Sequence, residues 1–178
     1  MKILLNALAF QLGWFACVLG GAHQLPWLGT LTAALIISWH LGQAQRPARE
    51  FTLLAAVGAL GAVWDSLLVA AGWLSYPSGT LIPSTAPHWI VAMWVLFAST
   101  LNVSLRWLRG RWMTAALLGA TAGPLAYYAG AKLGGVTITE PLHAYTALAL
   151  GWAAFVPLLS RLSKHYDGMY AVARPAEV

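Results

Sequence analysis

The chain has 178 residues, of which 60% are hydrophobic and only 8% are charged. An ordinary soluble domain carries about 25% charged residues, so this chain lacks the polar surface that a protein in water needs. The composition therefore indicates an integral membrane protein and excludes a soluble enzyme and a nucleic-acid-binding module. We expect the lipid bilayer as its surroundings and no nucleic acid as a partner. The single cysteine, Cys17, lies within an apolar run, which excludes a disulfide framework and a cysteine zinc site.

Six apolar stretches approach the length of about 20 residues that crosses the hydrocarbon core. They are residues 3–21, 26–41, 51–74, 88–105, 112–132 and 141–160. Each must be helical, because only a helix satisfies its own backbone hydrogen bonds in lipid. Asn6 and Gln11 interrupt the first stretch, so we expect a membrane helix there and not a cleaved signal peptide. The sequence therefore predicts an all-α, polytopic membrane protein with six transmembrane helices in a single domain, residues 1–165, followed by a cytoplasmic tail, residues 166–178.

The distribution of Lys and Arg predicts the orientation. With six spans, both termini lie on one side of the membrane, and nine of the ten Lys and Arg residues share that side. These nine are Lys2, Arg46, Arg49, Arg106, Arg109, Arg111, Arg161, Lys164 and Arg174. Only Lys132 falls on the opposite side. Since the cytoplasmic side of a membrane protein carries the excess of Lys and Arg, we expect both termini in the cytoplasm.

Asp65 is the clearest candidate for a functional residue, because it lies near the middle of the third predicted span. Ionisable groups inside a membrane are costly and usually face protein or water. Asp65 shares a helix face with Gly58, Gly61 and Gly72, and a stripe of glycines lets a neighbouring helix approach closely. Its carboxyl group must therefore be protonated, paired or hydrogen-bonded. Two interpretations stay open, which are a structural anchor between helices and a catalytic or proton-handling group.

The fifth predicted span offers partners for Asp65. Tyr128 lies at about the same depth, and Lys132, four residues further on, shares its helix face. We expect a hydrogen bond between Asp65 and Tyr128, with Lys132 nearer the outer surface. Alternatively, Lys132 extends outward alone, as long cationic side chains do at membrane interfaces.

Two histidines near the outer surface, His88 and His143, are candidates to assist Asp65 as general acid or base. Glu140 and His143 stand three residues apart on one predicted helix face. Metal sites in helical bundles use such pairs from two helices together with further carboxylates. Because the pair occurs once here, we expect no metal site, and no motif for a cofactor is present.

A second polar set lies in the cytoplasmic half of the predicted bundle: Asn6, Gln11, His40, Ser99 and Asn102. Hydrogen bonds between such residues hold membrane helices together. The alternative is a polar cavity that opens to the cytoplasm, with His40 as its titratable member.

Several segments together resemble an uncharacterised family of small bacterial inner-membrane proteins, the DUF2878 family. They are residues 6–18 (NALAFQLGWFACV), 64–68 (WDSLL), 87–89 (PHW), 94–102 (WVLFASTLN) and 123–130 (GPLAYYAG). The resemblance covers roughly residues 5 to 160 and implies a bacterial inner membrane with no established activity. Relatives encoded near cyclopropane-synthase-like lipid methyltransferases imply a setting in lipid modification and a lipid-modifying enzyme as a partner.

Three functions are compatible with these observations. The first is an accessory or small lipid-handling protein of lipid or envelope metabolism. The second is a small proton-coupled transporter or channel that uses Asp65, which with only six spans would need a homo-oligomer. The third is an intramembrane enzyme in which Asp65 acts as acid or base. Whether the protein is an enzyme is left open by the sequence.

Overall fold

The computed structural model describes residues 1–170, and this part of the chain forms six α-helices, which confirms the all-α prediction. They are α1 (Lys2–Ala22), α2 (Pro26–Gly42), α3 (Pro47–Ala70), α4 (His88–Leu101), α5 (Trp112–Lys132) and α6 (Pro141–His165). A 3₁₀ helix, Arg106–Leu108, precedes α5, and two short strands, β1 (Leu74–Ser75) and β2 (Thr137–Ile138), pair antiparallel. Residues 171–178, with Arg174 and most of the predicted tail, lie outside the described residues.

Three of the helices, α1, α3 and α6, are long and apolar enough to cross a membrane. Helix α4 is also apolar but has only 14 residues. The described part of the chain is therefore an α-helical protein with three helices that could cross a membrane, while a crossing by all six helices stays a prediction.

The third helix begins and ends four residues earlier than the stretch 51–74 predicts. Pro47 occupies its first turn, where the missing N–H of proline costs nothing. After Ala70 the chain turns at Gly72, which has a φ of +73°, a conformation that favours glycine. Asp65 consequently lies five residues before the end of α3, about 8 Å along the axis, and so nearer one end of the helix than its middle.

The helices pack as three antiparallel hairpins, α1 with α2, α3 with α4, and α5 with α6. Helix α4 is the centre of the bundle, because it also packs against α1 and α2. Glycines on α3 allow its close approach, since a Cβ atom at Gly58 would lie 2.8 Å from Val95, and one at Gly61 would overlap the indole of Trp94. Gly72 has open space around it and takes no part in this packing.

The two ends of the bundle are distinct. At the end that we call the hairpin end, β1 pairs with β2 through Leu74 and Ile138 and so links the α3–α4 connection to the α5–α6 connection. At the opposite end, which we call the terminus end, α1 begins and α6 ends. Each end carries one cluster of buried polar side chains.

Candidate functional site

The first buried cluster surrounds Asp65, whose side chain is fully buried. Its Oδ1 accepts hydrogen bonds from the hydroxyls of Tyr76 and Tyr127, both at 2.7 Å. Its Oδ2 accepts one from the indole Nε1 of Trp94, also at 2.7 Å. An ionised carboxylate only accepts hydrogen bonds, so three donors on two oxygens suit the charged form of Asp65.

Four separate elements bring these side chains together. Asp65 comes from α3, Trp94 from α4 and Tyr127 from α5, whereas Tyr76 directly follows β1. Gly61 lies one turn before Asp65 on α3, and its missing side chain leaves the space that the indole of Trp94 fills. Burial raises the pKa of the Tyr76 phenol well above its ordinary value, and the Asp65 carboxylate raises this pKa further. Tyr76 is therefore protonated at neutral pH and donates.

The partner of Asp65 on α5 is Tyr127, so the expected hydrogen bond with Tyr128 is wrong. Consecutive residues point about 100° apart on a helix, and Tyr128 is 49% exposed on the outside of the bundle. Lys132 is exposed too, with its Nζ 5.4 Å from the centre of the Tyr128 ring. Tyr127 stands four residues after Gly123, which packs against Trp152 of α6. That glycine was the signal in the sequence that this face of α5 turns inward.

A groove of about 920 Å³ lies between α1 and α5, and the Asp65 cluster forms part of its wall. Helix α4 and Trp152 form its floor, and the rings of Tyr76, Trp94 and Tyr127 line it. Most of the lining is apolar or aromatic, and none of the described lining residues is Asp, Glu, Lys, Arg or His. Gln11, predicted as part of a polar interior, lines this groove and is exposed.

Helix α1 contacts the rest of the chain near both ends of the groove. At the terminus end, the Oγ of Ser104 donates to the Oδ1 of Asn6 at 2.7 Å, and the Nδ2 of Asn6 donates to the carbonyl of Ser99 at 3.2 Å. At the hairpin end, a Cβ atom on Gly135 would lie only 2.9 Å from Cγ1 of Val18, so the chain there touches α1. Between these two contacts the groove separates α1 from α5.

The second buried cluster, at the terminus end, is centred on Glu50, which is fully buried in the first turn of α3. Its Oε1 lies 2.8 Å from the Nε2 of His40. Its Oε2 accepts hydrogen bonds from the Nδ2 of Asn102 at 2.6 Å and the backbone N–H of Gly168 at 3.0 Å. Two predicted polar residues, His40 and Asn102, are thus brought together by a carboxylate that lies between the predicted spans 26–41 and 51–74.

Arg109 extends this second cluster to the segment after α6. Its guanidinium donates to the side chain of Asn102, to the carbonyl of Ser163 at 3.1 Å and to the Oδ2 of Asp167 at 2.9 Å. The connection joins α3, α4 and α6 at the terminus end. We infer that this cluster fixes the packing of the helices, because each polar group in it has a partner within the protein.

The two predicted outer histidines are not hydrogen-bonded to Asp65. The Nδ1 of His88 lies 2.7 Å from the Oγ1 of Thr30, and its ring stacks on Trp27 at 4.3 Å. His143 stacks on Trp73 at 5.6 Å. Within residues 1–170 no group of three or more His, Cys, Asp or Glu side chains is placed to hold a metal ion. The catalytic roles suggested for Asp65, His88 and His143 stay predictions.

These features define a class of protein, a helical protein with three helices able to cross a membrane and a buried carboxylate whose hydrogen-bond partners line an apolar groove. The chain belongs to the family described as Protein of unknown function (DUF2878), whose model matches residues 3–158. The matched part contains the whole Asp65 cluster. It also contains Arg109 but ends before Ser163 and Asp167, the partners of Arg109 in the second cluster. Comparison with the curated proteins gives no match, and comparison with the solved structures gives none either.

Proposed function

We propose that this protein is a lipid-handling protein of the bacterial inner membrane, which holds one membrane lipid in the groove between α1 and α5. All six helices cross the membrane in this proposal, and both termini are cytoplasmic, so that the terminus end faces the cytoplasm. Support comes from exposed apolar residues on helices other than α1, α3 and α6. Leu35 on α2 is 74% exposed and Leu117 on α5 is 66% exposed, which suits contact with lipid.

The observation that carries the proposal is the shape and chemistry of the groove. Ligand pockets have volumes of about 300–1,000 Å³, and this groove has about 920 Å³. Along α5 its lining runs from Leu118 to Gly130, which at 1.5 Å per residue is about 18 Å. That length exceeds half of a hydrocarbon core of about 30 Å. A groove between two helices of the proposed bundle, with an apolar lining, suits a ligand that enters from the bilayer.

An accessory role in lipid or envelope metabolism agrees best with the state of Asp65. Both of its oxygens are occupied by donors from the protein, so the carboxylate is poorly placed for a direct chemical step. The protein would present a lipid to a lipid-modifying enzyme rather than react with it. The transporter alternative has less support, since a charged or histidine side chain is missing from the described lining of the groove.

The binding proposal is tested by blocking the groove. Ala126 lies on α5, is exposed and lines the groove, whereas Ala34 on α2 is exposed and does not line it. We expect Ala126→Trp to lose the lipid that co-purifies with the protein and Ala34→Trp to keep it, measured by native mass spectrometry after gentle detergent extraction. Equal lipid occupancy in the two variants, both folded, would contradict the proposal.

The topology is tested separately with single cysteines in a Cys17→Ser background. Gln43 lies between α2 and α3, and Leu81 lies between α3 and α4; both side chains are exposed. In intact spheroplasts a membrane-impermeant maleimide should label Leu81→Cys at once and Gln43→Cys only after permeabilisation. The opposite pattern would reverse the orientation, and labelling of both would refute a sealed crossing between them.

A further inference from the structure

The hydrogen bonds of the Asp65 cluster restrict the head group that the groove can accept. A phenol has one proton to donate and two lone pairs that accept. Tyr76 and Tyr127 both give their proton to Oδ1 of Asp65. The indole N–H of Trp94 is likewise used by Oδ2. Each of these three lining groups has therefore already given its proton within the protein, and the two phenol oxygens keep only accepting lone pairs.

We propose that the ligand held in the groove carries a hydrogen-bond donor, a hydroxyl or an ammonium group, which the phenol oxygens of Tyr76 and Tyr127 accept. This inference rests on the proposed function and names the chemical class of its lipid. A ligand whose only polar atoms are carbonyl, ether or phosphate oxygens finds no free donor at the cluster. A ligand hydroxyl or ammonium finds two acceptors side by side, because both phenols meet the same carboxylate oxygen.

Electrostatics favours the same class of ligand. In the described part of the chain Asp65 has three hydrogen bonds and no salt bridge. The three donors suit an ionised Asp65, and a negative charge in a medium of low dielectric constant acts strongly on nearby groups. It attracts the positive end of an O–H or N–H dipole and repels a phosphate. The lining of the groove adds no Lys, Arg or His from the described residues that would reverse this preference.

The depth of the cluster places the donor close to one end of a lipid chain. Tyr127 lies five residues before the end of α5 at Lys132, about 8 Å along the helix axis. The groove continues past it toward Ile3 near the start of α1. A long chain with a terminal donor can therefore lie along the groove with its head at the cluster.

The test compares three probes of equal chain length on the complete protein in nanodiscs: 1-dodecanol, its methyl ether and dodecylammonium. Four tryptophans line the groove, Trp14, Trp89, Trp94 and Trp152, so tryptophan fluorescence reports binding. One hydrogen bond contributes about 0.5–1.5 kcal/mol, and 1.4 kcal/mol is tenfold in Kd. We expect the alcohol to bind several-fold to about tenfold more tightly than the ether. The ranking of alcohol and ammonium then identifies which donor the site prefers.

Matched variants locate the effect at the cluster. Tyr127→Phe removes one acceptor oxygen and should reduce the preference for alcohol over ether, whereas Tyr128→Phe, on the exposed side of the same helix, should keep it. If Tyr127→Phe does not fold, the comparison of alcohol with ether on the unmodified protein still decides. Equal binding of the two probes, or tighter binding of the ether, overturns the inference and leaves the groove a lipid site. No binding of any probe overturns the proposed function itself.

Discussion

Gly61→Ala should disturb the Asp65 cluster although it replaces none of the side chains that form the cluster. A Cβ atom at Gly61 would overlap Cγ, Cδ1 and Cδ2 of the Trp94 indole. These atoms belong to a rigid ring on the central helix α4, so the ring must move as a whole. The same indole donates to Oδ2 of Asp65 at 2.7 Å. Displacing the ring therefore lengthens or breaks this hydrogen bond.

The expected magnitude follows from two terms. Overpacking a well-packed interior costs about 1–3 kcal/mol, and a hydrogen bond between membrane helices contributes about 0.6–1.7 kcal/mol. Alanine is more favourable than glycine in a helix by about 1 kcal/mol, which a matched control removes. Gly130→Ala is such a control, because its Cβ would meet Val136 at an ordinary 3.5 Å. We expect Gly61→Ala to be less stable than Gly130→Ala by roughly 2–5 kcal/mol.

Thermal and denaturant unfolding of the purified variants in one detergent measures this difference. A double variant with Trp94→Phe tests the cause, because two changes that act through one ring should cost less together than the sum of their separate costs. Equal stability of Gly61→Ala and Gly130→Ala would refute the reasoning. So would additive costs in the double variant, since the overlap with Trp94 would then not be the reason for the loss.

Two further predictions concern the terminus end. Glu50→Gln should destabilise the protein by about 1–3 kcal/mol, because the amide replaces an oxygen that accepts hydrogen bonds from Asn102 and Gly168. The control is Glu140→Gln at a side chain that is 59% exposed, and it should change the stability by no more than about 0.5 kcal/mol. Equal unfolding midpoints of the two variants would contradict this prediction. Asn6→Ala removes the contacts with Ser99 and Ser104 and should speed amide hydrogen exchange in the first two turns of α1, with Gln11→Ala as the control. Unchanged exchange would show that these contacts do not hold the start of α1 in place.

The helical architecture could be predicted from the sequence because it depends on local properties. Apolar stretches of membrane length must form helices, and a glycine stripe marks the face where another helix approaches. Gly58 and Gly61 do lie against α4 in the structure. The helix boundaries were harder to predict. Pro47 begins α3 within the segment between two apolar stretches, whose charged residues suggested a loop.

The hydrogen-bond partners of Asp65 were harder to predict, because they depend on the rotation of one helix against another. A single residue along α5 separates the buried Tyr127 from the exposed Tyr128, and one residue corresponds to about 100°. Glu50 was missed for a related reason. Arg46 and Arg49, which precede it, are charged and exposed. Only the partners from α2, α4 and the segment after α6 make the burial of Glu50 favourable.

The size and the apolar lining of the groove support the proposal that a ligand occupies it in the folded protein. A groove of about 920 Å³ with a largely apolar lining loses van der Waals contacts along its walls when nothing fills it. Water is a poor filler, because the lining offers few polar partners. A lipid chain from the bilayer, as proposed, supplies these van der Waals contacts. We therefore expect removal of lipid during purification to lower the midpoint of thermal unfolding of the protein, and an unchanged midpoint would contradict the proposed lipid site.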